Sequence, residues 1–281
     1  MNKEYKSINC KGQLIDLSAP RVMGILNITP DSFYDGGKHT QQDELLRHTE
    51  KMLVEGATFI DVGGYSSRPK ASHITEATEK SRVLPVVELL VKYFPDILIS
   101  IDTFRSPIAE EAIAAGACMV NDISGGNMDE QMFNTVAKLQ VPYIVMHMQG
   151  TPQTMQQQPV YANVVQDLIY YFSEKIFALR ELGLNDIIID VGFGFGKTME
   201  HNYQLLKNLH LFNKLEVPLL TGVSRKSMLW KLLGTSAQEA LNATTVAHTI
   251  ALLNGTHILR VHDVKEAFEA VKITEFLRTV D

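Results

Sequence analysis

The sequence has few cysteines, no long apolar run and no excess of basic residues. Only Cys10 and Cys118 occur among its 281 residues, and no Cys-x-x-Cys or His/Cys cluster is present. A disulfide framework and a structural zinc site are therefore not expected. No run approaches the roughly 18 apolar residues of a membrane-spanning helix, and the start of the sequence lacks the apolar stretch of a secretory signal. These absences predict a reduced, cytoplasmic protein that does not engage a membrane.

The charge balance argues against a further class of partner. Lysine and arginine number 26 against 32 aspartates and glutamates, which gives a net charge of −6 with histidine neutral. Broad nucleic-acid binding depends on a basic surface, so no nucleic-acid partner is expected. Hydrophobic residues make up 45% and charged residues 21%, a globular balance that excludes a disordered or collagen-like chain.

Short apolar runs alternate with longer helical segments along the chain. Residues 5–18 alternate weakly around Lys11 and Gly12 and predict a small hairpin within residues 1–19. Strands are predicted at 21–27, 58–62, 97–102, 118–123, 143–147, 186–190, 218–223 and 257–261, and helical spacing is clearest at 43–55, 76–94, 162–182 and 263–279.

This alternation predicts the fold class. Eight strands that alternate with eight helices in about 250 residues are typical of a (β/α)8 barrel. We therefore expect an α/β protein, a (β/α)8 TIM barrel with a short N-terminal β-hairpin. A doubly wound open sheet is the competing arrangement. Because no linker or composition shift divides the sequence, residues 1–281 are expected to form a single domain.

A polar or charged residue follows each predicted strand. In a barrel these positions share the C-terminal face, where barrel enzymes keep their active sites. Amides and carboxylates suit a hydrogen-bonding heterocycle, and cations suit a phosphate or carboxylate group. Two of the carboxylates, Asp61 and Asp122, also fit a structural role as helix caps or loop braces. The residues concerned are Asn27, Asp61, Asp102, Asn121, Asp122, His147, Asp190, Ser224, Arg225, Lys226, Arg260 and His262.

The glycine-rich segment 190–198 imitates two nucleotide-binding motifs and satisfies neither. Val191 stands where a phosphate-binding loop needs its first glycine, and Lys197 stands where a dinucleotide fingerprint needs its last. The glycines instead suit a close approach of backbone to a flat ligand. Of Phe193 and Phe195, one is expected to stack on that ligand and the other to fill the core. Lys226 lies at a predicted helix start, where the dipole disfavours a cation, which favours a functional role.

Taken together, eight segments resemble one family, the dihydropteroate synthases of the folate pathway. The resemblance covers essentially the whole chain beyond the hairpin, in the family's order and at strand ends. The matching segments are GILNITPDSFYDGG (24–37), DVGGYSSRP (61–69), ISIDTF (99–104), NDISGG (121–126), MHMQGTP (146–152), DVGFGFGK (190–197), GVSRKS (222–227) and RVHDV (260–264).

The resemblance implies a reaction. A 7,8-dihydropterin that carries a 6-hydroxymethyl diphosphate condenses with p-aminobenzoate, with Mg2+ as cofactor. The products are 7,8-dihydropteroate and diphosphate. The family also implies small-molecule substrates as the principal partners and a homodimer as the assembly.

The resemblance further implies a role for each matching residue. Catalytic roles fall to Asp102, Asp190 and Lys226, and a metal role to Asn27 and Asp35. Pterin binding is implied for Asp102, Asn121, Met146, Asp190, Phe195 and Lys226, diphosphate binding for Asn27, Arg68, Arg260 and His262, and p-aminobenzoate binding for Phe33, Ser67, Pro69 and Ser227.

Several positions depart from the family pattern, and two rival functions share its pocket. Tyr65 replaces a glutamate, Ser67 a threonine, Lys70 a glycine and Val191 a proline. None of these changes removes an implied catalytic group. The closest rival is a pterin-binding barrel that passes a methyl group from methyltetrahydrofolate to a corrinoid, and the other is a non-catalytic pterin-binding barrel. The full first loop and the segments SRKS (224–227) and RVH (260–262) favour the synthase over the methyltransferase. The presence of Asn27, Asp35, Lys226, Arg260 and His262 favours it over the non-catalytic barrel.

Overall fold

The N-terminal segment forms a tight β-hairpin. The computed structural model describes residues 6–28, 38–66, 73–150 and 159–280. Within them β1 (Ser7–Cys10) and β2 (Gln13–Asp16) pair antiparallel across a two-residue turn. Both turn residues, Lys11 and Gly12, have a positive φ, of 54° and 81°. This turn geometry matches the twist of the two strands, and the predicted hairpin is confirmed.

Eight parallel strands close into a barrel. Each strand pairs with the next along the chain, and the last pairs with the first. An open doubly wound sheet has no such closing pair, so the (β/α)8 prediction is confirmed. The strands are β3 (Arg21–Asn27), β4 (Phe59–Gly63), β5 (Ile99–Asp102), β6 (Met119–Asp122), β7 (Tyr143–Met146), β8 (Ile187–Asp190), β9 (Leu219–Thr221) and β10 (Ile258–Val261).

Helices follow every barrel strand, but their number exceeds the predicted eight. Nine α-helices lie in the part of the chain that the structure describes, because two of them follow β9. Gly234, with φ of 64°, ends the first of the pair. The helices are α1 (Lys38–Val54), α2 (Glu76–Tyr93), α3 (Ser106–Ala114), α4 (Met132–Leu139), α5 (Val164–Glu181), α6 (Met199–Lys207), α7 (Ser227–Leu233), α8 (Leu241–Leu253) and α9 (Val264–Leu277), with a 3-10 helix at Leu209–Leu215.

Side-chain alternation along the strands separates two apolar regions. Val62, Ile101 and Val145 belong to the main core between the strands and the helices, and all are fully buried. Residues of the opposite parity point into the barrel. No helix in the described ranges is long and apolar enough to cross a membrane.

The hairpin seals the N-terminal end of the barrel. Its apolar side chains Ile8, Cys10, Ile15 and Leu17 are buried against the residues that open the barrel strands. Those barrel residues are Met23, Phe59, Cys118, Met119, Ile144, Ile188, Leu220 and Ile258. The open end of the barrel is therefore the C-terminal one, where the strand-terminal polar residues lie.

Candidate active site

Strand register brings three of the predicted positions, Asn27, Asp102 and Asn121, to one level of the barrel. Asn27 pairs with Gly63, Gly63 with Asp102, and Asp102 with Asn121, across β3 to β6. On the other side, Met146 of β7 pairs with Asp190 of β8. The ends of the strands thus assemble the predicted polar residues into one bowl.

A network of charges crosses the barrel beneath this bowl. The Nε of Arg260 donates to Oδ2 of Asp61 at 2.6 Å, and another guanidinium nitrogen of Arg260 donates to Asp102 at 2.8 Å. Asp61 also accepts from Nδ2 of Asn121 at 3.0 Å. One carboxylate therefore holds two predicted ligand-binding side chains, which come from β6 and β10.

Asp61 does not end its strand, as the sequence suggested, and it does not cap a helix. β4 continues to Gly63, so Asp61 lies mid-strand with its side chain inside the barrel and 0% exposed. Its Oδ1 and the Oγ of Ser100, its register neighbour on β5, have no hydrogen-bond partner among the described residues. Asp122, by contrast, is a loop brace, since it accepts from Ser124, Gly126 and Tyr143.

The network controls the ionisation of Asp102 and Arg260. Burial raises the pKa of Asp102 to about 7. The positive charge of Arg260 opposes this increase, whereas repulsion from Asp61 and other carboxylates adds to it. Burial alone would lower the pKa of Arg260, but the attraction of Asp61 and Asp102 outweighs burial and raises it. Arg260 is therefore a permanent cation, whereas Asp102 titrates near neutral pH.

Asp190 ends β8 and Lys226 follows the neighbouring strand β9, and the two side chains attract each other electrostatically. Burial raises the pKa of Asp190, which accepts a hydrogen bond from the Gly192 backbone at 2.8 Å. Burial and then Arg260 lower the pKa of Lys226 to about 8, against the attraction of Asp190 and Asp102. Lys226 is the N-cap residue of α7, as its sequence position indicated. Its ammonium lies 4.2 Å from the centre of the Phe195 ring.

An apolar wall lines one side of the bowl. Met146 and Phe195 are buried together, and Phe195 is 9% exposed at the top of the barrel. Phe193 instead lies in the main core, 1% exposed. Phe193 therefore fills core, as predicted for one of the two phenylalanines, and stacking of Phe195 on a ligand stays a prediction. The rest of the wall is Tyr65, Phe104, Ile123 and Met148.

Arg225 places Lys226 and takes no part in the bowl. Its guanidinium makes a two-point ion pair with Asp263 at 2.8 Å and donates to the carbonyls of Ala237 and Gln238. Its φ of 53° is left-handed, a conformation held by these contacts. The sequence placed Arg225 only among the polar residues that follow the strands, and it gave no indication of Asp263 as its partner.

The remaining predicted residues divide into two groups. His262 and Ser227 are exposed at the mouth, and the backbone N–H of His262 donates to Oγ of Ser224 at 3.2 Å. Five others lie outside the described residues. These are Phe33, Asp35, Ser67, Arg68 and Pro69.

The predicted metal position has a sparse set of protein ligands. Asn27 is exposed at the end of β3, and its predicted companion Asp35 lies outside the described residues. No group of three or more His, Cys, Asp or Glu side chains arranged for a metal occurs in the described ranges. Mg2+ usually retains several waters and binds through one or two protein oxygens plus substrate phosphates. An exposed amide beside a cationic mouth fits a metal that arrives with a diphosphate.

Comparison with known proteins agrees with this geometry. The family model described as "Pterin binding enzyme" matches residues 23–262, from the first barrel strand to the last predicted site residue. The chain belongs to the dihydropteroate synthases, within the pterin-binding enzymes. The Escherichia coli K12 dihydropteroate synthase is 42% identical over 267 residues, which cover 94% of each chain. The resemblance found in the sequence is confirmed, and so is the prediction that the protein is an enzyme of the transferase class.

Solved structures of family members superpose closely. The Yersinia pestis dihydropteroate synthase, in a sulfonamide drug complex, is 42% identical with a TM-score of 0.91, covering 98% of this chain and all of that one. The Xanthomonas albilineans enzyme, in complex with 7,8-dihydropteroate, is 35% identical with a TM-score of 0.87, covering 98% and 100%. Family membership and the barrel are therefore supported by both sequence and structure.

Proposed function

We propose that the bowl condenses 6-hydroxymethyl-7,8-dihydropterin diphosphate with p-aminobenzoate, through the residues that the sequence suggested. The observation that carries this proposal is the juxtaposition of buried carboxylates and an amide with two cations in one mouth. The first set suits a heterocycle, and the second suits a diphosphate. Family membership and the dihydropteroate complex of the Xanthomonas enzyme support the same pair of substrates.

The pterin occupies the deeper part of the bowl in this proposal. Asp102, Asn121 and Asp190 present oxygen and nitrogen atoms in fixed directions, because each is the last or next-to-last residue of a barrel strand. Met146 and Phe195 supply an apolar face for the ring. Lys226 completes the set with a cation directly over Phe195.

The diphosphate then lies toward the rim. Arg260 is held by two carboxylates, so its remaining N–H groups point in a fixed direction. We assign diphosphate contacts to Arg260, His262, Asn27 and Arg68. These groups favour departure of the diphosphate because they neutralise charge that grows as the bond breaks.

Bond breaking precedes amine attack in the proposed reaction. The bond between the exocyclic carbon and the bridging oxygen breaks, and its electron pair leaves with the diphosphate. The electron-rich dihydropterin stabilises the resulting cation, and Asp102 and Asp190 lie where negative charge supports it. The p-aminobenzoate nitrogen then attacks the carbon and loses one proton. This dissociative, SN1-like path requires no strong general base.

Asn27 and Asp35 are the proposed protein ligands of Mg2+. When bound, Mg2+ supplies positive charge to the diphosphate leaving group. The wall for p-aminobenzoate is assigned to Phe33, Ser67, Pro69 and Ser227. Of these, Ser227 is described, and it is exposed at the first turn of α7, directly beside Lys226.

We further propose a homodimer and a cytoplasmic location. Helices α8 and α9 expose several large apolar side chains, which suits contact with a second copy. Light scattering on the purified protein tests this assembly, and a mass of one 31.4 kDa chain at micromolar concentration would contradict it. Two buried cysteine thiols are compatible with a reducing compartment. The exposed side chains are Val246, Ile250, Leu253, Ile273, Phe276 and Leu277.

The decisive experiment measures both products. The protein is incubated with dihydropterin diphosphate and p-aminobenzoate, with Mg2+ or with EDTA. Equal amounts of diphosphate and dihydropteroate, formed only with Mg2+, are expected. Pterin binding without turnover would contradict the proposal and favour a methyltransferase-like or non-catalytic barrel, which a corrinoid methyl-transfer assay would then separate.

A further inference from the structure

The segments that follow β7 and β8 cross at van der Waals distance. A Cβ atom at Gly192 would lie 2.1 Å from the carbonyl oxygen of His147, and one at Gly196 would lie 2.7 Å from that of Gln149. Both glycines have a positive φ, of 69° and 63°. Only glycine permits this approach, which crowds backbone carbonyl groups together behind the apolar wall.

A buried lysine occupies the centre of this crossing. Lys197 is 4% exposed, and its Nζ lies 3.0 Å from Nδ1 of His147, 3.2 Å from the carbonyl of His147 and 3.0 Å from the carbonyl of Phe195. An ammonium group has three N–H donors and no acceptor. Its three donors match these three acceptors in the tautomer of His147 whose Nδ1 carries no proton.

The surrounding charges are consistent with this arrangement. Burial, then Lys197, lowers the pKa of His147 to about 3, which keeps its ring neutral. Burial lowers the pKa of Lys197 to about 7; Asp190 opposes this shift and Lys226 adds to it. Below that pH the group is an ammonium held by ring and carbonyl dipoles, and Asp190 acts on it only through space.

We propose that Lys197 is a positioning residue that fixes the Met146–Phe195 wall against which the pterin ring packs. Its Nζ donates to the backbone carbonyl of Phe195, one half of the wall. It also contacts the ring and the backbone carbonyl of His147, the residue directly after Met146. Met146 ends β7 and Phe195 lies in the segment after β8, and Lys197 joins these two halves of the wall. This inference rests on the proposed placement of the pterin.

Removing the ammonium is expected to affect one substrate selectively. Lys197→Met keeps the stem and loses all three bonds, so the KM for dihydropterin diphosphate should rise at least tenfold. The KM for p-aminobenzoate should stay within about twofold and kcat within about threefold. Lys138→Met is the matched control, since Lys138 is 76% exposed and pairs with Glu110 at the surface. A merely structural role would not separate the two substrates.

The crossing has other supports, so the variant is expected to fold. The hydroxyl of Tyr161 donates to the carbonyl of Gly196 at 2.7 Å, and that of Tyr171 donates to the carbonyl of Met146 at 3.4 Å. If Lys197→Met is nevertheless unfolded by circular dichroism, His147→Ala serves instead. It removes one of the three acceptors and should raise the same KM about threefold.

Binding measurements keep this test independent of turnover. Quenching of 6-hydroxymethylpterin fluorescence reports its Kd even in a protein that makes no dihydropteroate. A Kd at least tenfold weaker in folded Lys197→Met than in wild type would support the positioning role. An unchanged Kd, or equal rises in both KM values, would overturn it. Absence of product from the wild-type protein would instead contradict the proposed function.

Discussion

The two ends of the barrel use the same eight strands and carry opposite side chains. At the N-terminal end, strand residues such as Phe59 and Ile188 are apolar and sealed by the hairpin. Two residues further along the same strands, Asp61 and Asp190 carry charge. A step of two residues keeps a side chain on the inner face and raises it by about 7 Å. Stability and chemistry are thereby separated along the barrel axis, within single strands.

The charged end is costly to fold and the apolar end offsets that cost. Burial raises the pKa of both Asp102 and Asp190, so their ionised forms are destabilised in the folded state. The hairpin end contributes burial of apolar side chains without any such penalty. Variants at the charged end should consequently change catalysis, and variants at the apolar end should change the free energy of unfolding.

Lys226→Ala should give the largest loss. The variant removes the cation that lies over Phe195 and beside Asp190, and we expect kcat/KM to fall about a thousandfold, or about 4 kcal/mol. The unfolding temperature should change little, because the side chain contributes no apolar packing to the core. Lys231→Ala on the same helix is the control. Wild-type rates in folded Lys226→Ala would remove this residue from the mechanism.

Ile8→Ala should show the reverse behaviour at the other end. The side chain is 1% exposed under the barrel, so its truncation should lower the free energy of unfolding by roughly 2–5 kcal/mol. Both KM values should remain unchanged in the folded fraction. Leu14→Ala, on the exposed face of the same hairpin, is the comparison variant for urea denaturation. A changed pterin KM in Ile8→Ala would show that the two ends are coupled.

Asp61→Asn should affect both stability and catalysis, because Asp61 is buried inside the barrel beneath the bowl. It weakens charged hydrogen bonds to Arg260 and Asn121, and we expect about 2 kcal/mol lower stability and about tenfold lower kcat/KM. Asp96→Asn, at the surface, controls for the loss of a charge. Loss of stability without any change in kcat/KM would limit Asp61 to a structural role.

The pH profile should be bell-shaped and narrow. Protonation of Asp102, with a pKa of about 7, removes a charge on the acid side, and deprotonation of Lys226, at about 8, removes one on the alkaline side. We expect kcat/KM to fall about tenfold per pH unit beyond each limb. Asp102→Asn should lose the acid limb, and a limb that persists in that variant would belong to the substrate.

The free energy of unfolding and the activity should change in opposite directions as pH falls below about 7, as far as Asp102 determines them. The pKa of Asp102 is raised in the folded state, so its contribution to stability is fully present below its unfolded value and is lost as pH rises through about 7. Between pH 7 and 5 this group therefore makes folding more favourable while activity declines. Thermal denaturation across that range measures the difference.

Asn27→Ala should give the smallest effect, a requirement for several-fold more Mg2+. Mg2+ bound mainly through substrate phosphates loses only one protein oxygen in this variant. The apparent half-saturating Mg2+ concentration measures the change, and Asn9→Ala on the hairpin is the control at the opposite end. An identical Mg2+ titration in both variants would reject the metal role of Asn27.

Periodicity and strand-end polarity were enough to predict the barrel and most of the bowl. All eight strands were located to within two residues at either end, and Asp102, Asn121, Asp190 and Lys226 converge as expected. These features depend on local signals, namely alternating apolar runs and the polar residue that ends each of them. The alternation predicts one helix after β9, whereas the structure has two, the first of which ends at Gly234.

Roles that depend on distant contacts could not be read in the same way. Asp61 contacts Arg260 only because β10 closes on β3, and nothing within the motif around Asp61 indicates that partner. Lys197 was noticed only for violating a dinucleotide motif. Its actual partners follow from a crossing of two loops, which requires the three-dimensional path of the backbone.

The bond between Arg260 and Asp61 joins residues 199 positions apart. During synthesis on the ribosome, the carboxylate emerges long before the guanidinium that it must hold. A nascent chain that stops before Ile258 has seven barrel strands, with β3 and β9 unpaired along one edge each. Such a chain has no complete mouth, and it exposes two sheet edges whose backbone N–H and C=O groups are unpaired. Closure by the last strand therefore completes the mouth and covers both exposed sheet edges in one step.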